Sequence, residues 1–262
     1  MDARLGGRPL MRLLCIPAPS RASLTMYADN WLPSPDRCKA PVRSNDVRCP
    51  DNHPQSFSED PLAFLPWGLT KLHSLWVSLT YPFASRGRNL DLHFMSHVSR
   101  KRAGRIRLGD RVSLRKGAWL NPATDDATGE PTIVIEDDCA IGTDSIISAK
   151  NLIHIERDVL IAQAVLIVDH NHAYEDITVP IVKQGVTEGG RIRIGQGSWI
   201  AHGAAILCPR GDLTIGRNCV VAANSVVTRS IPDFSLVAGL PARIIRQYDP
   251  TTKTWRIGRS RP

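Results

Sequence analysis

Between Leu108 and Val227 an aliphatic residue returns every six positions, and no other feature restricts what this chain can fold into as tightly. The series runs Leu108, Leu114, Leu120, then Ile135, Ile141, Ile147, then Ile155, Ile161, Ile167. After a longer break it resumes as Ile194, Ile200, Ile206 and closes as Ile215, Val221, Val227. Four residues after an anchor the chain tends to be small or β-branched, as at Ala118, Ser145, Val165, Ala204 and Cys219. One residue after it, Gly109, Gly142, Gly195 and Gly216 recur.

A period of six fits neither a 3.6-residue helix nor the two-residue alternation of a simple strand. It fits an all-β solenoid whose coil has three flat sides of about six residues. The anchor then points down the axis, the small residue fills the space beside it, and the next residue makes the corner. Glycine at the corner is expected to supply a left-handed backbone. The groups of anchors predict a parallel β-helix of about five coils. A doubly wound α/β sheet would need helical periodicity between its apolar runs, and none is visible.

With 262 residues and 42% hydrophobic content, one folded domain with appendages accounts for the chain. Residues 1–61 are rich in Pro, Arg, Ser and Asp without apolar periodicity, and read as a disordered or mis-annotated leader. In residues 62–107, Leu65, Leu69, Leu72, Trp76 and Leu79 form one stripe on a helix, expected to cap the open end of the solenoid. The β-helix domain spans 108–248, and 249–262 reads as a basic tail.

The net charge of +8 is unevenly spread. Residues 62–107 carry 8 basic and 1 acidic groups, whereas residues 108–242 carry 11 and 16. The long surface is therefore acidic, which argues against nucleic acid as a partner. The cluster Arg86, Arg88, Arg100, Lys101, Arg102, Arg105 and Arg107 suits peripheral contact of 86–107 with an anionic membrane surface. No apolar run approaches the roughly 20 residues that span a bilayer. The six cysteines form no CxxC pair, which predicts a cytoplasmic setting, at most peripheral at the inner membrane, and no thiolate metal site.

The informative interruption lies between Ile167 and Ile194: Asp169-His170-Asn171-His172-Ala173-Tyr174-Glu175-Asp176, continuing through Pro180 to Gly189-Gly190. A long loop ejected from a periodic scaffold is usually functional, since the scaffold does not need it.

Residues 106–246 resemble the hexapeptide-repeat acyltransferases, whose fold is a left-handed parallel β-helix that usually trimerises. Within them the chain is most similar to bacterial sugar and polysaccharide O-acetyltransferases. The resemblance rests on the repeat, the looped His172, Trp199-Ile200-Ala201, and the Ala-Gly-x-Pro-Ala-Arg ending at 238–243. Tyr81-Pro82-Phe83-Ala84-Ser85 and Trp119-Leu120-Asn121 point to the capsule, colanic-acid and O-antigen branch. It implies a homotrimer that moves acetyl from acetyl-CoA, as cosubstrate and without metal, to a hydroxyl of a glycan or small-molecule acceptor.

In that family a loop histidine is the general base, because a sugar hydroxyl is a poor nucleophile until imidazole takes its proton. The resemblance puts this role on His172, with His170 as rival, and leaves Asp169, Glu175 and Asp176 as candidates to orient the ring. It places the oxyanion donor at a backbone N–H near Ala201 or His202. Asn151, Asn171, Tyr174 and Trp199 are the candidates for touching the acceptor. Ala223, Thr228 and Arg229 match the segment lining the acetyl-CoA groove between subunits, and Arg243 and Arg246 match positions facing its phosphates.

Two other classes compete. A gamma-type carbonic anhydrase uses the same fold but needs three converging histidines, for which His154, His170, His172 and His202 are available. A non-catalytic β-helix scaffold would need neither the loop histidine nor the Trp199 segment.

Overall fold

The computed structural model describes residues 64–124 and 129–257. The expectations for residues 1–61 and for the end of the basic tail lie outside these residues.

Six coils of parallel strands stack into three sheets. The coil that the aliphatic series opens on contains β4 (Ile106–Leu108), β5 (Ser113–Leu114) and β6 (Trp119–Pro122). Next come β7 (Ile133–Ile135), β8 (Ala140–Ile141) and β9 (Ile146–Ala149), then β10 (Leu152–Ile155), β11 (Leu160–Ile161) and β12 (Leu166–Val168). The last two coils are β13 (Gly189–Ile194), β14 (Trp199–Ile200), β15 (Ala205–Leu207), and β16 (Arg210–Ile215), β17 (Val220–Val221), β18 (Val226–Val227). The first strand of every coil joins the first sheet, the second the second and the third the third.

All fifteen anchors are buried, and they pair in register. Ile161, for example, is 1% exposed between Ile141 and Ile200 on the neighbouring strands. Truncating it leaves a void that parallel strands on both sides cannot close. Ile161→Ala is expected to cost about 3 kcal/mol, read as a lower denaturation midpoint.

The solenoid starts one coil earlier than the aliphatic series. Residues 85–98, expected to be part of the cap, form β1 (Ser85–Arg86), β2 (Asp91–Leu92) and β3 (His97–Val98). Leu92 pairs with Leu114 and Val98 with Leu120, but Arg86 holds the place beside Leu108. At an open end that position has no coil beneath it, so a charged residue is tolerated there and the hydrophobic signal is lost. At the other end β19 (Ser235–Gly239) continues the second sheet, and β20 (Ala242–Asp249) and β21 (Thr254–Ile257) extend it antiparallel. Part of the expected tail is thus a strand, with Trp255 against Tyr248 and Arg256 paired to Asp249.

The corner glycines work differently from the expectation. The left-handed residues lie three positions after the anchors: Gly117, Asp138, Asp144, Asp158, Gly197, Gly203, Asn218 and Asn224 among them. Most are residue types that tolerate positive φ, while Arg111 and Ala164 adopt it at the equivalent corners. The glycine one position after the anchor is needed instead for close stacking. A Cβ on Gly142 would stand 2.3 Å from the carbonyl carbon of Ala162 in the next coil.

Helix α1 (Phe64–Thr80) does cover the edge of the first coil, but not with its leucine stripe. Its buried residues are Thr70, Ser74 and Val77. The Leu92 N–H donates to Ser74 Oγ at 2.7 Å, and Lys71 pairs with Asp91 at 3.0 Å. An exposed strand edge offers unpaired N–H and C=O groups, so a hydroxyl serves it better than a methyl. The stripe itself faces outward.

Candidate active site

The alternation that buries Ile167 and turns Val168 outward brings Asp169 back to the interior. On the third sheet its position continues a stack of buried residues, Pro122, Ala149 and Cys208 in the other coils. A carboxylate in such a stack is costly unless donors surround it. Asp169 is 0% exposed, and Oδ1 accepts the Lys150 N–H at 2.7 Å. Oδ2 accepts the N–H groups of Asn151 at 2.8 Å and Leu152 at 3.1 Å. The fourth donor is His170, whose Nδ1 lies 2.9 Å from Oδ1. Because the carboxylate accepts, Nδ1 carries the proton, and in the neutral ring Nε2 then holds the lone pair. The His170 side chain keeps 12% of its surface exposed.

His172 is placed differently. It lies in the legs of the loop, which pair as a hairpin through the His172–Val186 bridge and the Thr187 N–H donating to the Asn171 carbonyl at 2.7 Å. It is exposed, and no carboxylate is hydrogen-bonded to it among the described residues. The other two orienting candidates are spent locally. Glu175 accepts from the Tyr174 N–H, and the Thr178 hydroxyl and N–H hold the Asp176 carboxyl below the usual carboxylate range. Of the two loop histidines, only His170 has a carboxylate on a ring nitrogen among the described residues.

The foot of the loop is tied down by residues that sequence reasoning treated otherwise or missed. The Asn151 side-chain amide, a candidate acceptor contact, donates to the Glu188 carbonyl at 2.8 Å. Lys150, not singled out from sequence, donates through Nζ to the Thr187 carbonyl. Gly189, at φ +81°, returns the chain so closely that a Cβ there would stand 2.9 Å from the Asp169 carbonyl oxygen. Cys208 lies beneath; burial, with the charges of Asp169 and Asp212 added, pushes its thiol up. Arg210-Gly211-Asp212 begins β16, paired with β13 from Gly189↔Arg210 onward.

The remaining candidates divide between two edges of the prism. Asn151, the loop with Asn171 and Tyr174, Thr228 and Arg229 lie on the edge between the third and first sheets. Ala201, His202 and Ala223 lie on the edge between the second and third, with Trp199 on the outer face of the second sheet. Ala201 cannot offer its N–H to an oxyanion without breaking its 2.9 Å bond to the Val221 carbonyl. Of that pair, His202 remains. Arg243 is exposed on β20, and Arg246 is half-buried beside Leu236. Of the other histidines, His154 is paired with Glu136 at 2.8 Å on the first sheet, so the four imidazoles do not converge within one protomer.

The outer faces of the sheets differ. The first sheet presents Arg107, Val134, His154, Arg193 and Thr214. The second presents Ala140, Leu160, Trp199 and Val220, and the third Trp119, Ile146, Leu166, Ala205 and Val226. Leu160, Leu166, Trp119 and Trp199 are all exposed in the single chain.

Residues 132–163 and 213–229 match the family model described as the hexapeptide repeat of succinyl-transferase. The chain is 33% identical over 158 residues to WbbJ of Escherichia coli K12, whose name places it in lipopolysaccharide biosynthesis as an O-acetyl transferase; the match covers 58% of this chain and 76% of that one. It is 29% identical over 195 residues to Rv3034c of Mycobacterium tuberculosis, named as an acetyltransferase, covering 70% of this chain. It spans 59% of that relative's length. Among solved structures it is similar in fold to AntD, an N-acyltransferase of Bacillus cereus solved with dTDP and 3-hydroxybutyryl-CoA, with TM-score 0.55 and 18% identity over 68% of this chain and 89% of that one. The likeness to WbbJ over 76% of that chain, and not the prism alone, defines the class. The chain belongs to the hexapeptide-repeat acyltransferases, and its fold is their left-handed parallel β-helix.

Proposed function

We propose that the protein transfers acetyl from acetyl-CoA to a hydroxyl of a sugar or polysaccharide precursor, with His170 as general base and Asp169 as the group that orients it. The observation that carries this reading is the hydrogen bond between His170 Nδ1 and the buried Asp169, which leaves Nε2 of the neutral ring as the nitrogen able to take a proton. The likeness to an O-acetyl transferase favours oxygen over nitrogen as the acceptor atom.

Acetyl-CoA supplies an acyl group activated as a thioester. His170 Nε2 accepts the proton of the acceptor hydroxyl as its oxygen bonds to the acyl carbon and the C–S bond breaks. His170 then hands the proton to the departing thiolate, which leaves the imidazole neutral for the next turnover. The exposed guanidinium of Arg243 is suited to a phosphate, and the exposed Ala223 presents only a methyl group to a narrow chain.

The site needs a second copy. His170 and His202 stand on different edges of one prism, so a groove lined by both takes one edge from each of two protomers. A homotrimer would also cover the apolar outer faces of the second and third sheets. The exposed loop residues Ile177, Ile181 and Val182 point the same way, since they have nothing to rest on in a single chain. The protein should therefore elute at three times the 28.9 kDa of one chain, and Trp199→Glu should give monomers without measurable activity. Light scattering on both proteins checks this, and a fully active monomer would refute it.

The test of the function itself is thiol release from acetyl-CoA across a panel of sugar, sugar-nucleotide and polysaccharide acceptors. Mass spectrometry of the product is expected to show a gain of one acetyl group on oxygen. A product acetylated only on an amine would overturn the choice of acceptor atom.

A further inference from the structure

The outward face of α1 is unusual for a helix on a protein surface. Leu65, Leu69, Leu72, Leu75, Trp76 and Leu79 fall within about one-third of the helical circumference, and every one of them is exposed, from 42% at Leu69 to 70% at Leu79. The opposite face, with Thr70, Ser74 and Val77, is the one packed on β2. Exposed apolar surface that is this continuous ordinarily has a partner.

The charges at the same end of the prism indicate which partner. Arg86 belongs to the first coil, and Arg100 and Lys101 stand on the short 3-10 segment Arg100–Arg105 that leaves it. All three are exposed, and none makes an ion pair among the described residues. Helix α1 itself contains no acidic residue. If two copies met through this face, each would bring Arg86, Arg100 and Lys101 toward the same cations of the other, and the like charges would oppose the contact. Anionic headgroups do the reverse: they neutralise the cations while the leucines enter the acyl boundary. With 17 residues α1 is about 25 Å long, and its other face is occupied by the protein, so it lies in the interface and does not cross.

We propose that the Leu65–Leu79 face of α1, together with Arg86, Arg100 and Lys101, docks the protein on an anionic bilayer surface. This inference does not depend on the acetyl-transfer reading. It shifts the contact from the 86–107 cluster alone to an apolar wedge with a cationic border.

The experiment is flotation of the full-length protein with phosphatidylcholine vesicles containing roughly one-third phosphatidylglycerol, and with phosphatidylcholine alone. Two double variants are compared with wild type, Leu72→Glu/Leu79→Glu and Arg100→Glu/Lys101→Glu. All four positions are exposed, so unchanged circular dichroism and unchanged thiol release confirm the fold. Wild type is expected to float with the anionic vesicles at low salt, and each double variant to lose about tenfold or more in apparent affinity. Lipids brominated on the acyl chain are expected to quench wild-type fluorescence more than that of Trp76→Phe. Three results would overturn the proposal: no flotation of wild type at low salt, equal binding by the Leu72→Glu/Leu79→Glu variant, or a wild type indifferent to vesicles whose leucine variant has a smaller mass in solution. The last would assign the face to a second copy.

Discussion

His170→Ala is expected to lower kcat by about a thousandfold, while His172→Ala stays within about fivefold of wild type, each measured as acceptor-dependent thiol release. Both histidines lie on the ejected loop two residues apart, so proximity to the site does not separate them. What separates them is the partner of the second ring nitrogen. A general base must present one nitrogen with its lone pair free and hold the ring still while the proton moves. His170 meets both requirements through the 2.9 Å bond from Nδ1 to a carboxylate that is itself immobilised by three backbone N–H groups. His172 is exposed and held only by the backbone pairing of the loop legs, which leaves its ring free to rotate. Because the loss in His170→Ala is one of proton transfer, KM for acetyl-CoA should change little. The reverse outcome, a large loss in His172→Ala with His170→Ala near wild type, would return the base to His172 and leave the Asp169–His170 pair a structural device.

The fold was legible because an axial position in a three-sided coil must be filled by one aliphatic side chain per side, and that requirement writes itself into the sequence every six residues. The legibility stopped where burial stopped. At Arg86 the prism is open and the rule no longer binds, so the first coil went unseen. In α1 the spacing of the leucines revealed a face but not its direction. The side that packs is Thr70, Ser74 and Val77, chosen because a hydroxyl can satisfy the Leu92 N–H. The recurrence of Gly, Asp and Asn three residues after the anchors was a usable sign of left-handed corners, more so than the glycines one residue after them. The buried carboxylate beside His170 had a signal too. Counting two residues on from the anchor Ile167 places Asp169 on the buried side, where Ala149 and Cys208 sit in the flanking coils, and a carboxylate there demands a reason. How two copies would bring those two edges together is not written in the chain, since strand order along the sequence does not say which edge of one copy would meet which edge of another.

Asp169→Asn should be the most damaging conservative change in the protein, lowering both stability and rate. The carboxylate is fully buried and every group directed at it is a donor: the N–H groups of Lys150, Asn151 and Leu152, and Nδ1 of His170. An amide in its place keeps one acceptor oxygen and turns an NH2 toward either Lys150 and His170 or Asn151 and Leu152. In the first case Nδ1 must become the acceptor, so the proton moves to Nε2 and the nitrogen meant to act as base is blocked. In the second, two backbone donors are left buried and unpaired at the foot of the loop. Removing one partner from a buried, charge-assisted set costs about 3 kcal/mol, and the loss of the correct tautomer adds a fall in kcat of at least about a hundredfold. The two effects are separable. Thermal denaturation reports the first in the absence of substrate, and turnover measured well below the new midpoint reports the second. A variant that melts early but turns over normally would show that Asp169 serves the loop and not the base. Loss of turnover with little loss of stability would identify the His170 tautomer as its main charge.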